Sequence, residues 1–524
     1  MQKRHTLLLI AVLLLAFALR ISGIVYGLPL WLINDEPSTV LGALKMMELR
    51  SVVPALHTQE MSSVLYYPPY ISYLYLLPFS IIAGFQTAVQ GLSVSEIVTN
   101  LSPYFIAARL ISILAGLVCI WLIYKISESL FESKKAALVS AVFAATSLIN
   151  ISLSMSARHW IFISLIYSLA FYFLFKKRSH SWFSIVAAIG MGVSSISIFL
   201  FALFPLWYFV IEKNTLANLK KDLCTKEFWI IAIIAGIITI LPSILYPMSN
   251  GFIVDITSGA SKSIIGIVLS PFKFIGLLVH SEPVLVISFL IGFIALCIKN
   301  KRLGLTFGAF IYFYSIVYYI LFRYESRFLL PILPLIYSIA GYAFISVIRN
   351  KYYLFLLAIP LCASIMLSYL ALHNDSRIHA IDWVYENTDK KEKIITYGSQ
   401  LRIPTTAAAV AELRSIEPNA LRKIDTTEEK LNKENFHSLN IYTVQDKAFL
   451  ARLPDYVRKN GYTLYVIEKG DSEIGIAANS IPQQKVLTYF GTNPRYSIAT
   501  SEFPGTLRSL FKTSMLGPIV YIYR

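Results

Sequence analysis

Two acids stand side by side at Asp35 and Glu36, in the stretch WLINDEPSTV that follows the apolar segment Thr6 to Ile24. At a membrane surface such a pair reads as a general base or a metal ligand, or else as a solvated pair at a boundary. A carboxylate so placed can take the proton of an attacking hydroxyl, and cations beside it can stabilise a leaving phosphate. The chain offers cations at Arg109, at Arg158 and His159 in SMSARHW, and at Arg323 and Arg327 in FRYESRF. Each has a structural alternative: Arg109 as a snorkelling residue, Arg158 as the anchor of a span end, His159 as an interfacial residue, and the last two as partners of Glu325. Tyr66, Tyr67 and Tyr70, with Tyr73 and Tyr75, suit an interfacial aromatic belt or the wall of a donor and acceptor cavity.

The elements that must hold these groups are membrane spans. A chain of 524 residues that is 56% hydrophobic and 15% charged has more apolar surface than a water-soluble core can hide. The net charge of +16 does not mark a nucleic-acid surface, because the Lys and Arg excess lies in short loops. Cys119, Cys224, Cys297 and Cys362 have no metal-like spacing and predict neither a disulfide framework nor a cysteine metal site.

The positive-inside rule wants Lys134/Lys135, Lys176 to Arg178, Lys213 to Lys226, Lys299 to Arg302 and Arg349 to Lys351 all in the cytoplasm. Parity then gives eleven spans with the N-terminus inside and the C-terminus outside, the last over 352–372. It leaves Tyr66 to Phe85, interrupted by Pro68, Pro69 and Pro78, and Ser263 to His280 as helices in the outer interface. Residues 27–103 become the first external loop, with Asp35 in it. The first segment lacks a small-residue cleavage site and reads as a retained span, with Arg20 snorkelling at its outer end.

After Leu372 the sequence alternates as a soluble α/β domain over 373–524. IDWVYENT, TTAAAVAELRSI and AFLARLPDYVRKNG read as helices, and KIITYG, LNIYTV, TLYVIEKG and GPIVYIYR as strands. No P-loop or dinucleotide fingerprint is present in the sequence. Residues 1–372 are the expected membrane unit.

NDEP after the first span, YYPPYISYL, AARLISILAG, SARHW and RYESRFLLPILPL occur in an order and sidedness that resembles the GT-C glycosyltransferases. The nearest pattern is the branch of the protein O-mannosyltransferases and lipid A aminoarabinose transferases. The resemblance covers residues 5 to 372, and RIHAIDWVYENT is similar to the juncture with the external domain in that branch. It implies an enzyme that takes a sugar from a polyprenyl-phosphate donor on the outer face of a plasma membrane, or of the endoplasmic reticulum in a eukaryotic cell, and passes it to a protein, lipid or glycan acceptor. Carried over, Asp35 is the base, with Glu36 its neighbour. Arg109 and Arg327 or Arg323 hold the donor phosphate. Relatives often carry a second acid in the loop that is SMSARHW here, which has none, so Arg158 and His159 are expected to bind phosphate instead. A divalent metal stays open, and one activated hydroxyl attacking the sugar implies inversion. The competing readings are a lipid-linked glycan transporter, an O-antigen polymerase or ligase, and a scaffold displaying residues 373–524. The transporter calls for charges in mid-span, which are few here; the polymerase or ligase usually carries its arginines in one long external loop; the scaffold has no need of the acid pair.

Overall fold

The computed structural model describes residues 2–33, 35–62, 64–65, 67–177, 179–245, 264–321, 326–347, 355–398, 400–420, 435–442, 444–469, 485–491 and 507–524. The chain is a polytopic helical membrane protein followed by a C-terminal sheet. Helices predominate because a backbone in lipid must close its hydrogen bonds within each segment. The first, α1 (Gln2–Ile21), is followed after an irregular loop by α2 (Glu36–Leu49), α3 (Tyr70–Ala88) and the long α4 (Ser102–Phe131). Then come α5 (Lys134–Thr146), α6 (Leu148–Ser154), α7 (His159–Phe171), α8 (His180–Val193), α9 (Phe199–Pro205) and α10 (Lys226–Leu245). The membrane region closes with α11 (Ser270–Ser281), α12 (Pro283–Lys299), α13 (Lys301–Leu321), α14 (Leu333–Ser346) and α15 (Ala358–Leu372).

Each of the eleven predicted spans falls on apolar helix. Among the described residues five are single helices long enough to cross, two are bent pairs and four are shorter apolar helices. Tyr70–Ala88, expected in the interface, is also long and apolar enough to cross. Its contacts lie at the Asp35 end of the bundle: Phe79 meets the Tyr104 ring edge-on, Gln86 Oε1 accepts from the Tyr104 hydroxyl at 2.8 Å, and the Tyr70 ring lies where a Cβ on Gly192 would fall.

Helices α4, α7 and α14 run in the same direction through the bundle. The start of α4, the start of α7 and the segment before α14 meet at the Asp35 end. At the other end Phe131 stacks on Tyr342 and Lys176 reaches Glu128.

Arg20 does not snorkel. It is fully buried, with Nη1 donating to the carbonyls of Ala16 and Ala145 at 3.0 and 3.1 Å, and Nη2 to the Ala144 carbonyl at 3.3 Å and Asn150 Oδ1 at 3.0 Å. The bend of 58° between α5 and α6 strands the last carbonyls of α5, and the guanidinium answers them.

Beyond α15, helix α16 (Ser376–Asn387) leads into β1 (Lys393–Tyr397), α17 (Ala407–Ile416), β2 (His437–Asn440), α18 (Leu453–Asn460), β3 (Tyr462–Lys469), β4 (Val486–Phe490) and β5 (Ile519–Tyr523). The sheet order is β2-β1-β3-β5-β4, parallel across β2, β1 and β3 and antiparallel at β5 and β4. Alternation sends Ile394, Leu464 and Val466 to the face covered by α16, and Ile395, Tyr465 and Ile467 to the face covered by α17 and α18. Two details differ from expectation. The second strand lies on HSLN rather than LNIYTV, because Asn440 turns its side chain to the Tyr442 amide and ends the ladder. The helix expected over 448–461 breaks at Arg452, ahead of Pro454.

Candidate active site

Pro37 in the first turn of α2 fixes where the helix begins, and this separates the acid pair. Glu36 is the first helical residue. Asp35 is its N-cap in the left-handed region, φ 67°, a conformation that Asp tolerates better than most residues. Its side chain does not cap the helix. The two carboxylates therefore leave the backbone in different directions and meet different partners.

Glu36 is fully buried in a closed clasp. Arg109 Nε donates to Oε1 and Nη2 to Oε2, both at 2.7 Å, a bidentate pair between side chains with no exposure. Oε1 also accepts the Ala157 amide at 2.8 Å, and Thr39 Oγ1 donates to the Ala157 carbonyl at 2.7 Å. Arg109 Nη1 is occupied as well, donating at 2.8 Å to the carbonyls of Ile24 and of Tyr26. Arg109 was expected at a donor phosphate and Glu36 beside the base. Here they neutralise each other, because the first turn of α2 packs against α4 at Arg109, about two turns into that helix, with both side chains fully buried.

The clasp positions its neighbour. With both polar atoms of Ala157 tied to α2, Arg158 is delivered onto Asp35, its Nη2 donating to Oδ2 at 2.7 Å. Arg327, from the turn before α14, donates to the same oxygen through Nη1 at 3.1 Å. Asp35 keeps 29% of its side chain exposed while Arg158 keeps 2%. The Arg327 guanidinium lies 5.0 Å from both the Trp160 and Phe328 rings, so it is aimed by stacking. Burial pushes the Asp35 carboxyl up, but Arg158, Arg327 and His159 outweigh it and hold the group below its ordinary 3.8.

The His159 ring lies tilted against Tyr67, with centroids 4.1 Å apart and 41° between planes, and against Trp160 at 4.5 Å and 38°. Burial and the Asp35 charge raise the Tyr67 hydroxyl above its usual range, so it stays a neutral donor. The structure thus gathers Asp35, Arg158, His159, Arg327 and Tyr67. Tyr70 turns elsewhere, its hydroxyl donating to the Ile238 carbonyl at 3.0 Å because its face of α3 packs on α8 and α10. Tyr66 and Arg323 lie outside the described residues. Arg158 Nε and His159 Nδ1 are buried without a hydrogen-bond partner among the described residues. Also among them, no three His, Cys, Asp or Glu side chains form a group that could hold a metal.

Sequence reasoning missed Thr39, Trp160 and Tyr26. Pro37 was the available signal that Glu36 opens a helix, and the Arg-His-Trp run places an aromatic next to the cations. Nothing marked the backbone of Ala157.

Asp35, Arg158 and Arg327 make a carboxylate bridged by two guanidiniums, open on one side. Such a site can receive a tetrahedral oxyanion on the arginines while the acid faces an incoming hydroxyl.

Residues 94–246 match the family described as dolichyl-phosphate-mannose-protein mannosyltransferase, a stretch holding Arg109 and Arg158 but not Asp35 or Arg327. No curated protein sequence matches the chain. Among solved structures, ArnT from Cupriavidus metallidurans bound to undecaprenyl phosphate aligns with a TM-score of 0.51 and 12% identity, over 92% of this chain and 96% of that one. The apo form of the same protein aligns with a TM-score of 0.51 and 11% identity, over 99% and 97%. The oligosaccharyltransferase of Archaeoglobus fulgidus aligns with a TM-score of 0.46 and 12% identity, over 93% and 72%.

Proposed function

We propose, from the premise that this chain has the GT-C glycosyltransferase fold, that it moves a sugar from a polyprenyl-phosphate donor to an acceptor hydroxyl on the extracytoplasmic face of the membrane. One observation carries the reading: a part-exposed carboxylate, Asp35, bridged by Arg158 and Arg327 from two other segments. The ArnT neighbour, bound to undecaprenyl phosphate, supports a lipid phosphate as the partner. Residues 1–372 are then the catalytic unit, and residues 373–524 an external domain.

The donor phosphate takes the two guanidiniums from Asp35. The acceptor oxygen attacks the anomeric carbon and its proton passes to the Asp35 carboxylate. The bond from that carbon to the phosphate oxygen breaks, and the departing pair of electrons is stabilised by Arg158 and Arg327. A single displacement inverts the anomeric centre. Beside the site a small apolar recess is lined by Phe274, Leu278, Phe289, Ile311 and Leu329; Leu329 stands two residues after Arg327.

The test is release of polyprenyl phosphate from a panel of polyprenyl-phosphate sugars by purified protein with a broad acceptor mixture. Turnover establishes the enzyme, and a panel without a single donor turned over overturns the reading. Arg158→Ala and Arg327→Ala should each raise the donor KM about tenfold or more, since each removes a charge-assisted contact to phosphate.

A pH dependence follows from the resting ion triad. In the free protein Asp35 is held below 3.8, so the acid limb of kcat/KM lies below the ordinary carboxylate range. Once phosphate occupies the arginines, Asp35 loses its cations and its pKa rises. The acid limb of kcat is therefore expected at higher pH than that of kcat/KM, and pH profiles of both constants check the order.

A further inference from the structure

The loop between α1 and α2 carries Asp35 yet has almost no structure of its own. Its backbone bonds are isolated turns, such as Tyr26 N to Gly23 O at 3.1 Å and Leu32 N to Gly27 O at 3.3 Å. Irregular backbone of this kind is held by groups outside it. The holders come from two directions. Arg109 takes the carbonyls of Ile24 and Tyr26, as described. The others belong to the segment after α15: Asn374 Oδ1 accepts the Gly27 amide at 2.8 Å, and Asp375 Oδ2 accepts the Tyr26 hydroxyl.

Asp375 is fixed in its turn. Arg377 Nε donates to Oδ1 at 2.8 Å and Nη2 to Oδ2 at 3.0 Å, while Arg377 Nη1 reaches Gln400 Oε1 at 2.9 Å. The chain end closes over the carboxylate. Gly517 has φ +95°, and a Cβ there would fall 2.5 Å from Asp375 Oδ1. Ser376 donates its amide to the Leu516 carbonyl at 2.9 Å and its hydroxyl to the Pro518 carbonyl at 2.5 Å. Apolar contacts follow the same route: Tyr26 and Ile33 share a cluster with Leu510 and Leu516, and Leu30 packs against the Val520 and Ile522 face of the sheet.

We infer that Tyr26, Asp375 and Arg377 are positioning residues for the Asp35 site, so that the segment beyond the last span, although outside the catalytic unit of residues 1–372, holds that unit's site in register. The inference rests on the glycosyl-transfer reading above and names what holds that site in register. Tyr26 is the joint. Its hydroxyl is on Asp375 and its carbonyl is on Arg109, whose carboxylate partner Glu36 holds the Ala157 amide next to Arg158. Releasing the hydroxyl lets the loop shift, and the shift reaches Arg158 through three further hydrogen-bonded groups, all buried.

The bland alternative is an interface that only stabilises the fold. The two are separated with the full chain in detergent, comparing wild type, Tyr26→Phe, Asp375→Asn and the double variant. Positioning predicts a fall in kcat of about tenfold in each single variant, with one donor still bound per protein. The double variant falls no further than the worse single, because both break one unit. The acid limb of kcat/KM moves to higher pH as Arg158 loosens from Asp35, a change that lost stability alone does not produce. Unchanged kcat, or additive losses with an unmoved limb, overturns the inference. Should Asp375→Asn misfold through its unpaired Arg377, Tyr26→Phe carries the test, since it removes one oxygen and leaves no charge. If wild type turns over no donor, the glycosyl-transfer reading fails by itself. Amide exchange then decides the positioning: residues 24–36 exchange at least about tenfold faster in Tyr26→Phe while α14 is unchanged, and equal protection in loop 24–36 overturns it.

Discussion

Asp35→Asn is expected to lower kcat by about a hundredfold or more, measured as polyprenyl phosphate released at saturating donor and acceptor. The substitution keeps shape and volume, and Asn accepts the left-handed φ of 67° as readily as Asp does. What it removes is basicity. An amide oxygen still accepts from Arg158 or Arg327, so the fold of the site survives, but it takes no proton from an acceptor hydroxyl. The donor KM should stay level or fall, because the arginines no longer have a carboxylate competing with the incoming phosphate. That combination, kcat lost and donor affinity kept, distinguishes a missing base from a damaged site. An Asp35→Asn protein as fast as wild type removes Asp35 from the chemistry and the proposed mechanism with it.

The second large effect concerns stability. Arg109→Ala leaves Glu36 as an uncompensated buried carboxylate and two further acceptors, the carbonyls of Ile24 and Tyr26, without their donor, and a broken buried pair of this kind costs about 3–5 kcal/mol. Thermal unfolding in one fixed detergent should show it as a fall in Tm. Arg109→Lys recovers only part, since an ammonium cannot serve four acceptors lying in the plane of a guanidinium. Adding Glu36→Gln to Arg109→Ala should restore some of the loss by removing the stranded charge. A cycle in which the two substitutions simply add would show that Glu36 and Arg109 do not act as a pair.

Much of the architecture was legible before any coordinates. Apolar length and the placement of Lys and Arg mark helices one at a time, because lipid imposes its demand on each segment separately. The α16 helix and strands β1, β3 and β5 were legible through alternation and turn residues. β4 was not: its burial pattern is mostly exposed, so VLTYF carries no inward face to read. The site was legible as a set of residue types and not as a set of pairings. Which acid of Asp35 and Glu36 faces the opening depends on one backbone dihedral at the start of α2. Whether Arg109 or Arg327 meets Asp35 depends on which helix ends approach, and parity gives the side of the membrane but not the neighbour. Arg20 shows the same limit, since its burial required a helix break between α5 and α6 that apolar composition does not announce.

The two acid pairs also differ in when they can form. Glu36 and Arg109 are 73 residues apart, whereas Asp35 and Arg327 are 292 apart. During synthesis the clasp becomes available once the start of α4 has left the ribosome. The charge of Glu36 is thus neutralised while most of the bundle is still unmade. Arg327 arrives late, after α13, so the opening beside Asp35 is completed near the end of insertion. A nascent chain halted in the middle of the membrane region would have the Glu36 charge already paired with Arg109 and the Asp35 charge still without Arg327.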